Sequence, residues 1–375
     1  MKTITLDKIA SVTRACGLKR EVRISPDIPC EEGVVVAVRV RNDKTTYNQL
    51  ELPSGRMAQV KRGDVIAGAL GHRHALFGYA GHLPERLAPG DTIHLLNMGG
   101  VLGIFDGGSP DLGTPFECEV LGAVLHFPFL GERIGVAARI GGEPLEMTSP
   151  FDAAGVPVVA LVGSCMNCGK TAASCSLIRE LTHGGLIVDG FKATGVSLRR
   201  DVLAMEDAGA RTTAIFTDLG VVSTSEANAG LVTRKLLTRL ASGGQKERPD
   251  AIVAELGDGL LGAYGVASIL EDPDVRTAFK AVVLAANDPV AAWGGVKLLR
   301  ERFGIEPVAV TGPATDNLAG TQIIEEQLGV PAINARTDAA RLAAVVRAAI
   351  SAPPSPGPSP AERERGTQAG AEVTK

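Results

Sequence analysis

From residue 155 onward the apolar residues gather in strand-length runs, at 156–162, 186–192, 212–216, 250–256, 281–286, 307–311 and 330–334. Segments of helical length with one polar face separate them. In "ANAGLVTRKLLTRLAS" (227–242), Val232, Leu236 and Leu240 recur every four residues, which places them on one side of a helix. Strands apolar on both faces, alternating with helices, predict an α/β fold with a doubly wound, mainly parallel sheet over 155–350.

The first 150 residues have a different rhythm. "GVVVAVRVRN" (33–42), "GDVIAGAL" (63–70), "DTIHLLN" (91–97) and "FECEVLGAVLHF" (116–127) are short β-like runs cut by glycine and proline turns. They predict a smaller β-rich domain over 1–150, with the division near 148–155. The stretch "SAPPSPGPSPAERERGTQAGAEVTK" (351–375) offers almost nothing to bury and reads as a disordered tail.

The strongest chemical signal is "LVGSCMNCGKTAAS" (161–174), which joins a predicted strand to a predicted helix. A phosphate-binding loop wraps phosphate oxygens in backbone N–H groups, reaches them with a lysine and offers a hydroxyl to Mg²⁺. Gly169, Lys170 and Thr171 match its end, but Ser164 stands where the first glycine is expected and Gly163 comes one residue early. Gly163, Ser164, Asn167, Cys168, Gly169, Lys170 and Thr171 are the candidate phosphate contacts. Cys165-x-x-Cys168 also admits a metal or redox reading, although a structural zinc needs about four ligands and only Cys175 is near in sequence.

Two later strand ends supply matching chemistry. "DAIVAELGDGLLGAYG" (250–265) ends its apolar run at Glu255, a candidate Mg²⁺ ligand with Thr171, and continues into Gly257, Asp258 and Gly259. "GLIVDGFKATGVSLRRD" (185–201) places Lys192 near a strand's carboxyl end, where open α/β sheets bind ligands, and a lysine is costly to bury unless it meets an anion. Arg199, Arg200 and Asp201 follow, the last a further candidate for the metal.

Composition narrows the classes. A formal charge of −4 gives no reason to expect nucleic acid or anionic membrane as partner, and no apolar run reaches the length of a membrane helix. Six cysteines in 375 residues are too sparse for a disulfide framework. These features predict a cytoplasmic protein and leave a homodimer open. His72, His74 and His82 in "GHRHALFGYAGH" (71–82) admit a zinc reading, but without an accompanying acid or thiol the simpler reading is a polar loop.

With these motifs in order, "GSCMNCGKT", "VDGFKATG" and "AELGDG", residues 155–345 resemble the dethiobiotin synthetase-like branch of P-loop proteins, which includes cobyrinic acid amide synthases. The same region is similar to an uncharacterised family that includes D-glutamate N-acetyltransferase. The first resemblance implies ATP and Mg²⁺ as cofactors, with Lys170 and Thr171 on phosphate and metal, Glu255 on the metal, and Lys192 on substrate or γ-phosphate. It implies phosphoryl activation of a carboxylate or carbamate followed by amide or ring formation, with a small-molecule carboxylate or amine as substrate. Asn317, in "TGPATDN" (311–317), stands where an adenine-reading residue is expected, and no Asn-Lys-x-Asp stretch for guanine follows the loop. Two other classes stay open: an acyl-CoA-dependent N-acyltransferase that holds CoA phosphates in the loop, and a nucleotide-switched adaptor for cofactor or metal insertion.

Overall fold

The computed structural model describes residues 1–129, 131, 134–141, 151–244 and 247–352. Residues 148–150 of the expected boundary, and the tail from 353 on, lie outside the described residues. In the second half, strands β1 (Val158–Gly163), β2 (Val188–Lys192), β3 (Thr213–Ile215), β4 (Ala251–Glu255), β5 (Phe279–Ala285) and β6 (Ala309–Thr311) form one sheet. Its order is β3-β2-β4-β1-β5-β6, with every neighbouring pair parallel. The helices are α1 (Lys170–His183), α2 (Arg200–Asp207), α3 (Ala229–Ala241), α4 (Val266–Glu271), α5 (Pro273–Ala278), α6 (Pro289–Phe303), α7 (Leu318–Leu328) and α8 (Ala339–Ser351).

The strand period of two divides these residues between two cores. Val159 and Leu161 pack with Leu177 and Leu181 of α1 and Val346 of α8. Val158, Ala160 and Val162 pack with Val232, Leu236 and Leu240 of α3 and Leu299 of α6. Burial on both faces explains why the strands read as continuous apolar runs. The run at 330–334 departs from expectation: it meets the sheet only at the bridge between Val310 and Ala332. Pro331 has no N–H to extend the ladder, so Val330 and Ile333 are buried as irregular chain instead.

The first half builds its own core on a mostly antiparallel sheet. Val35–Val40 lies between Val65–Leu70 and Phe116–His126, antiparallel to both. Val222, from the second half, is buried in this core, so the two halves share a packed boundary. They meet closely at Gly99, where a Cβ would lie 1.9 Å from the carbonyl oxygen of Ser197. Gly99→Ala should therefore force the halves apart, at a cost of about 1–3 kcal/mol. Thermal unfolding checks this: a melting temperature several degrees lower is expected, and an unchanged one would contradict the packing described. Among the described residues, no helix is long and apolar enough to cross a membrane.

Candidate functional site

β1 runs through residues 164–169 into α1. Gly163 is needed for close approach: a Cβ there would lie 2.6 Å from Cys168 Sγ and 2.7 Å from Lys170 Nζ. The glycine one residue early thus makes room for the lysine, while Ser164 keeps an ordinary role, its amide donating to Ala285 O at 2.9 Å. Asn167 (φ 60°) and Gly169 (φ 94°) adopt left-handed backbone and curl the loop, with Gly169 at the N-terminus of α1. Lys170 folds back over the loop and is almost wholly buried. Its ammonium donates to the carbonyls of Cys165 (2.8 Å) and Asp258, and lies 3.5 Å from Cys168 Sγ.

β4 lies beside β1, and this adjacency brings the acid to the loop. The Thr171 hydroxyl donates to Glu255 Oε1 at 3.1 Å, and Glu255 Oε2 is buried without a partner. A hydroxyl beside an unsatisfied carboxylate oxygen is a hard-oxygen pair that suits Mg²⁺, which needs only one or two protein ligands and takes the rest from phosphate and water. On the other side of β4, Lys192 of β2 is in register with Glu255 and pairs with Asp201. Burial pulls the Lys192 pKa down, but Asp201 and Glu255 outweigh it and leave it raised. Glu255 is raised by burial and by the Asp201 charge, and Lys192 holds Asp201 low against the opposing effect of its own burial. Asp201, expected on the metal, is engaged by the lysine instead.

These groups share one cavity of about 470 Å³ with residues of the first half. From the second half Asn167, Gly169, Lys170, Thr171, Lys192, Asp201, Glu255, Asp258 and Tyr264 line it, and from the first half Tyr47, Arg73, Phe77, Asn97 and Met98. Gly163, Ser164 and Cys168 form the body of the loop but not the cavity wall. Asn317 is not brought to the cavity at all: it is exposed, and its side-chain oxygen accepts from Gly320 N at 2.8 Å to cap α7. Nor do the cysteines assemble a metal set. Both loop thiols are free; Cys168 donates to Cys165 O (3.0 Å) and Cys165 to Met166 O (3.0 Å). Among the described residues there is no group of three His, Cys, Asp or Glu placed for a metal, which also sets aside zinc at the histidines. His74 and His82 belong to a hairpin rather than a loop, and His82 Nδ1 lies 2.7 Å from Asp106 Oδ1.

The polar cavity residues that the sequence did not single out are those of the first half and Tyr264 of the second. The buried guanidinium of Arg73 donates to Leu96 O, Tyr47 Oη (3.2 Å) and Phe77 O (3.3 Å), yet its Nε has no partner. Both carboxylate oxygens of Asp258 are also buried and unpartnered, and the buried Tyr264 hydroxyl lies beside Arg73 and the backbone of His74. Asp258 holds a left-handed backbone (φ 71°) that is unusual for a residue with a side chain. Burial pushes its pKa from 3.8 up to about 6, against the pull of Lys170. A carboxyl raised in this way favours folding while protonated; that contribution is complete below the unfolded value and is lost as pH rises through about 6. The melting temperature of the parent minus that of Asp258→Asn should therefore fall between acidic and neutral pH. A difference that stays flat with pH would contradict the burial of this carboxyl.

No family model matches the chain. No curated protein matches it either. Among solved structures, part of the fold is similar to the signal recognition particle receptor FtsY of Elizabethkingia anophelis, with 17% identity over 47% of this chain and 57% of that one, at a TM-score of 0.33. The same receptor in complex with GDP gives 16% identity over 50% of this chain and 58% of that one, at 0.35. A DUF1611 family protein from Anabaena variabilis gives 15% identity over 55% and 61%, at 0.37. The chain thus spans less than two thirds of each of these proteins.

Proposed function

We propose that the chain is a Mg²⁺-ATP-dependent enzyme that activates a small carboxylate or carbamate by phosphoryl transfer, in the manner of a ligase. One observation carries this reading: two buried lysines and a hydroxyl–carboxylate pair converge on one cavity at the carboxyl ends of adjacent parallel strands. Phosphoryl transfer spreads negative charge over the transferring oxygens, and fixed cations are the groups that stabilise it. Lys170, released from the loop carbonyls, would take the phosphate oxygens that the loop amides cradle. Lys192, oriented by Asp201 and Glu255, would meet the transferring group. Thr171 and Glu255 would hold Mg²⁺, which supplies charge neutralisation of the phosphates when bound. The Arg73 and Tyr264 side of the cavity is left for the second substrate.

A thermal-shift screen with ATP, GTP and acetyl-CoA, each with and without Mg²⁺, tests this directly, because a ligand that binds only the folded state raises the melting temperature. ATP with Mg²⁺ should give the largest rise. A rise with acetyl-CoA that is indifferent to Mg²⁺ would replace this reading by the acyltransferase one. A rise confined to GTP would replace it by the nucleotide-switched adaptor.

A further inference from the structure

Glu51 stands in the short strand Gln49–Glu51 of the first half and is fully buried. A buried carboxylate is tolerated when its oxygens are satisfied by donors. Its donors come from the other half of the chain: Oε2 accepts from Arg199 N at 2.8 Å and Oε1 from Arg200 N at 2.7 Å. These are the amides at the start of α2, whose partial positive charge favours an anion there. The next residue is Asp201, the partner of Lys192.

The turn that carries Asp201 is gripped elsewhere as well. Asn97 Nδ2 donates to Ser197 O at 2.6 Å, while its Oδ1 accepts from Val101 N at 3.0 Å, and Arg199 Nη1 donates to Pro53 O at 3.2 Å. On the far edge, Glu32 Oε1 accepts from Val222 N (3.2 Å) and Ser223 N (3.3 Å), and Ser223 bridges to Val196. The first half therefore holds Ser197, Arg199 and Arg200 directly, and through Glu32 it holds residues 222–223, which pair with Val196.

We infer that Glu51 is a positioning residue: by fixing the first turn of α2 it keeps Asp201 against Lys192, so that the first half of the chain sets the geometry of the second half's cavity. The inference rests on the proposed nucleotide site only for its consequence on ATP. The Lys192–Asp201 geometry can be read without any nucleotide.

The test uses the full chain and two variants. Glu51→Gln keeps the shape but removes the charge and turns one acceptor into a donor facing an N–H. Glu51→Asp keeps the charge on a stem one methylene shorter. Labelling of lysines by acetic anhydride, read by mass spectrometry, reports the free-amine fraction and accessibility of each side chain. In Glu51→Gln, Lys192 should label on the order of tenfold faster, because its amine is released from the Asp201 carboxylate and opened to the reagent. Lys170, equally buried but on the P-loop, serves as control and should keep its rate. Glu51→Asp should fall between parent and Glu51→Gln, and decides the matter if Glu51→Gln does not fold. Unchanged Lys192 labelling in a folded variant, whatever its melting temperature, would overturn the inference and leave Glu51 as interface packing. An equal rise at Lys170 and Lys192 would overturn it too, since that is general loosening. Titration of ATP with Mg²⁺ forms a second arm, with weaker binding expected in Glu51→Gln. If the parent itself does not bind ATP, the nucleotide reading fails, while the labelling result still decides the role of Glu51.

Discussion

Replacing Lys170 by alanine is expected to weaken Mg²⁺-ATP binding by on the order of a hundredfold, the loss of about 2–3 kcal/mol that accompanies removal of a charged hydrogen-bond donor from phosphate. The structure adds a stability cost that the sequence does not suggest. A lysine projecting from a loop would be removable without consequence, but this one is buried and satisfies the carbonyls of Cys165 and Asp258. Cys165 O would keep its bond from the Cys168 thiol, but the Asp258 carbonyl would lose its lysine donor, which should lower stability by about 1–3 kcal/mol. Binding must accordingly be measured by calorimetry well below the variant's own melting temperature. A folded Lys170→Ala protein that binds Mg²⁺-ATP as tightly as the parent would remove the phosphate-loop assignment.

Lys192→Met should have the second largest effect. If Lys192 stabilises charge that develops during transfer, turnover should fall by on the order of a hundredfold while ATP affinity changes little. The methionine keeps the apolar stem, so the sequence suggests intact packing. The structure says otherwise: Asp201 and Glu255 would then face each other in a buried site without their shared cation. Removing one partner of a buried ion pair costs about 3–5 kcal/mol. The double variant Lys192→Met with Asp201→Asn should recover part of that stability but none of the turnover. Melting curves and turnover with any substrate that supports ATP cleavage check both statements. Full turnover in the double variant would show that this lysine serves only the fold.

The parts of the fold that were legible in the sequence are those governed by local pattern. Six of the seven apolar runs in the second half form strands of the parallel sheet because burial on both faces leaves no polar alternation to mistake. The helix at 229–241 follows from the four-residue spacing of Val232, Leu236 and Leu240, all of which are buried. The exception at 330–334 shows the limit of that signal, since an apolar run states that a segment is buried but not that it donates to a ladder. Lys170, Thr171, Lys192 and Glu255 were legible because each stands at a strand or loop end whose position the pattern fixes. Asn317 was not, because an asparagine before an apolar run marks a helix cap as readily as a ligand contact. The other half of the cavity was hidden for a different reason. Glu51, Arg73 and Asn97 act across sequence separations of up to about 150 residues, as in the bond from Arg200 N to Glu51, and no local periodicity encodes such pairings.

In the proposed function, the cavity at the carboxyl ends of β1, β2 and β4 holds ATP through Lys170 and a metal held by Thr171 and Glu255. A calorimetric titration of ATP into the parent and into Glu255→Gln, each with Mg²⁺ and with a chelator, addresses it most directly. The parent should bind one ATP with Mg²⁺ and lose on the order of tenfold or more in affinity when the metal is chelated, about 1.4 kcal/mol. Glu255→Gln should bind with the chelator much as the parent does and gain little from Mg²⁺. ATP binding that is absent, or that is equally strong with and without Mg²⁺ in both proteins, would contradict the account.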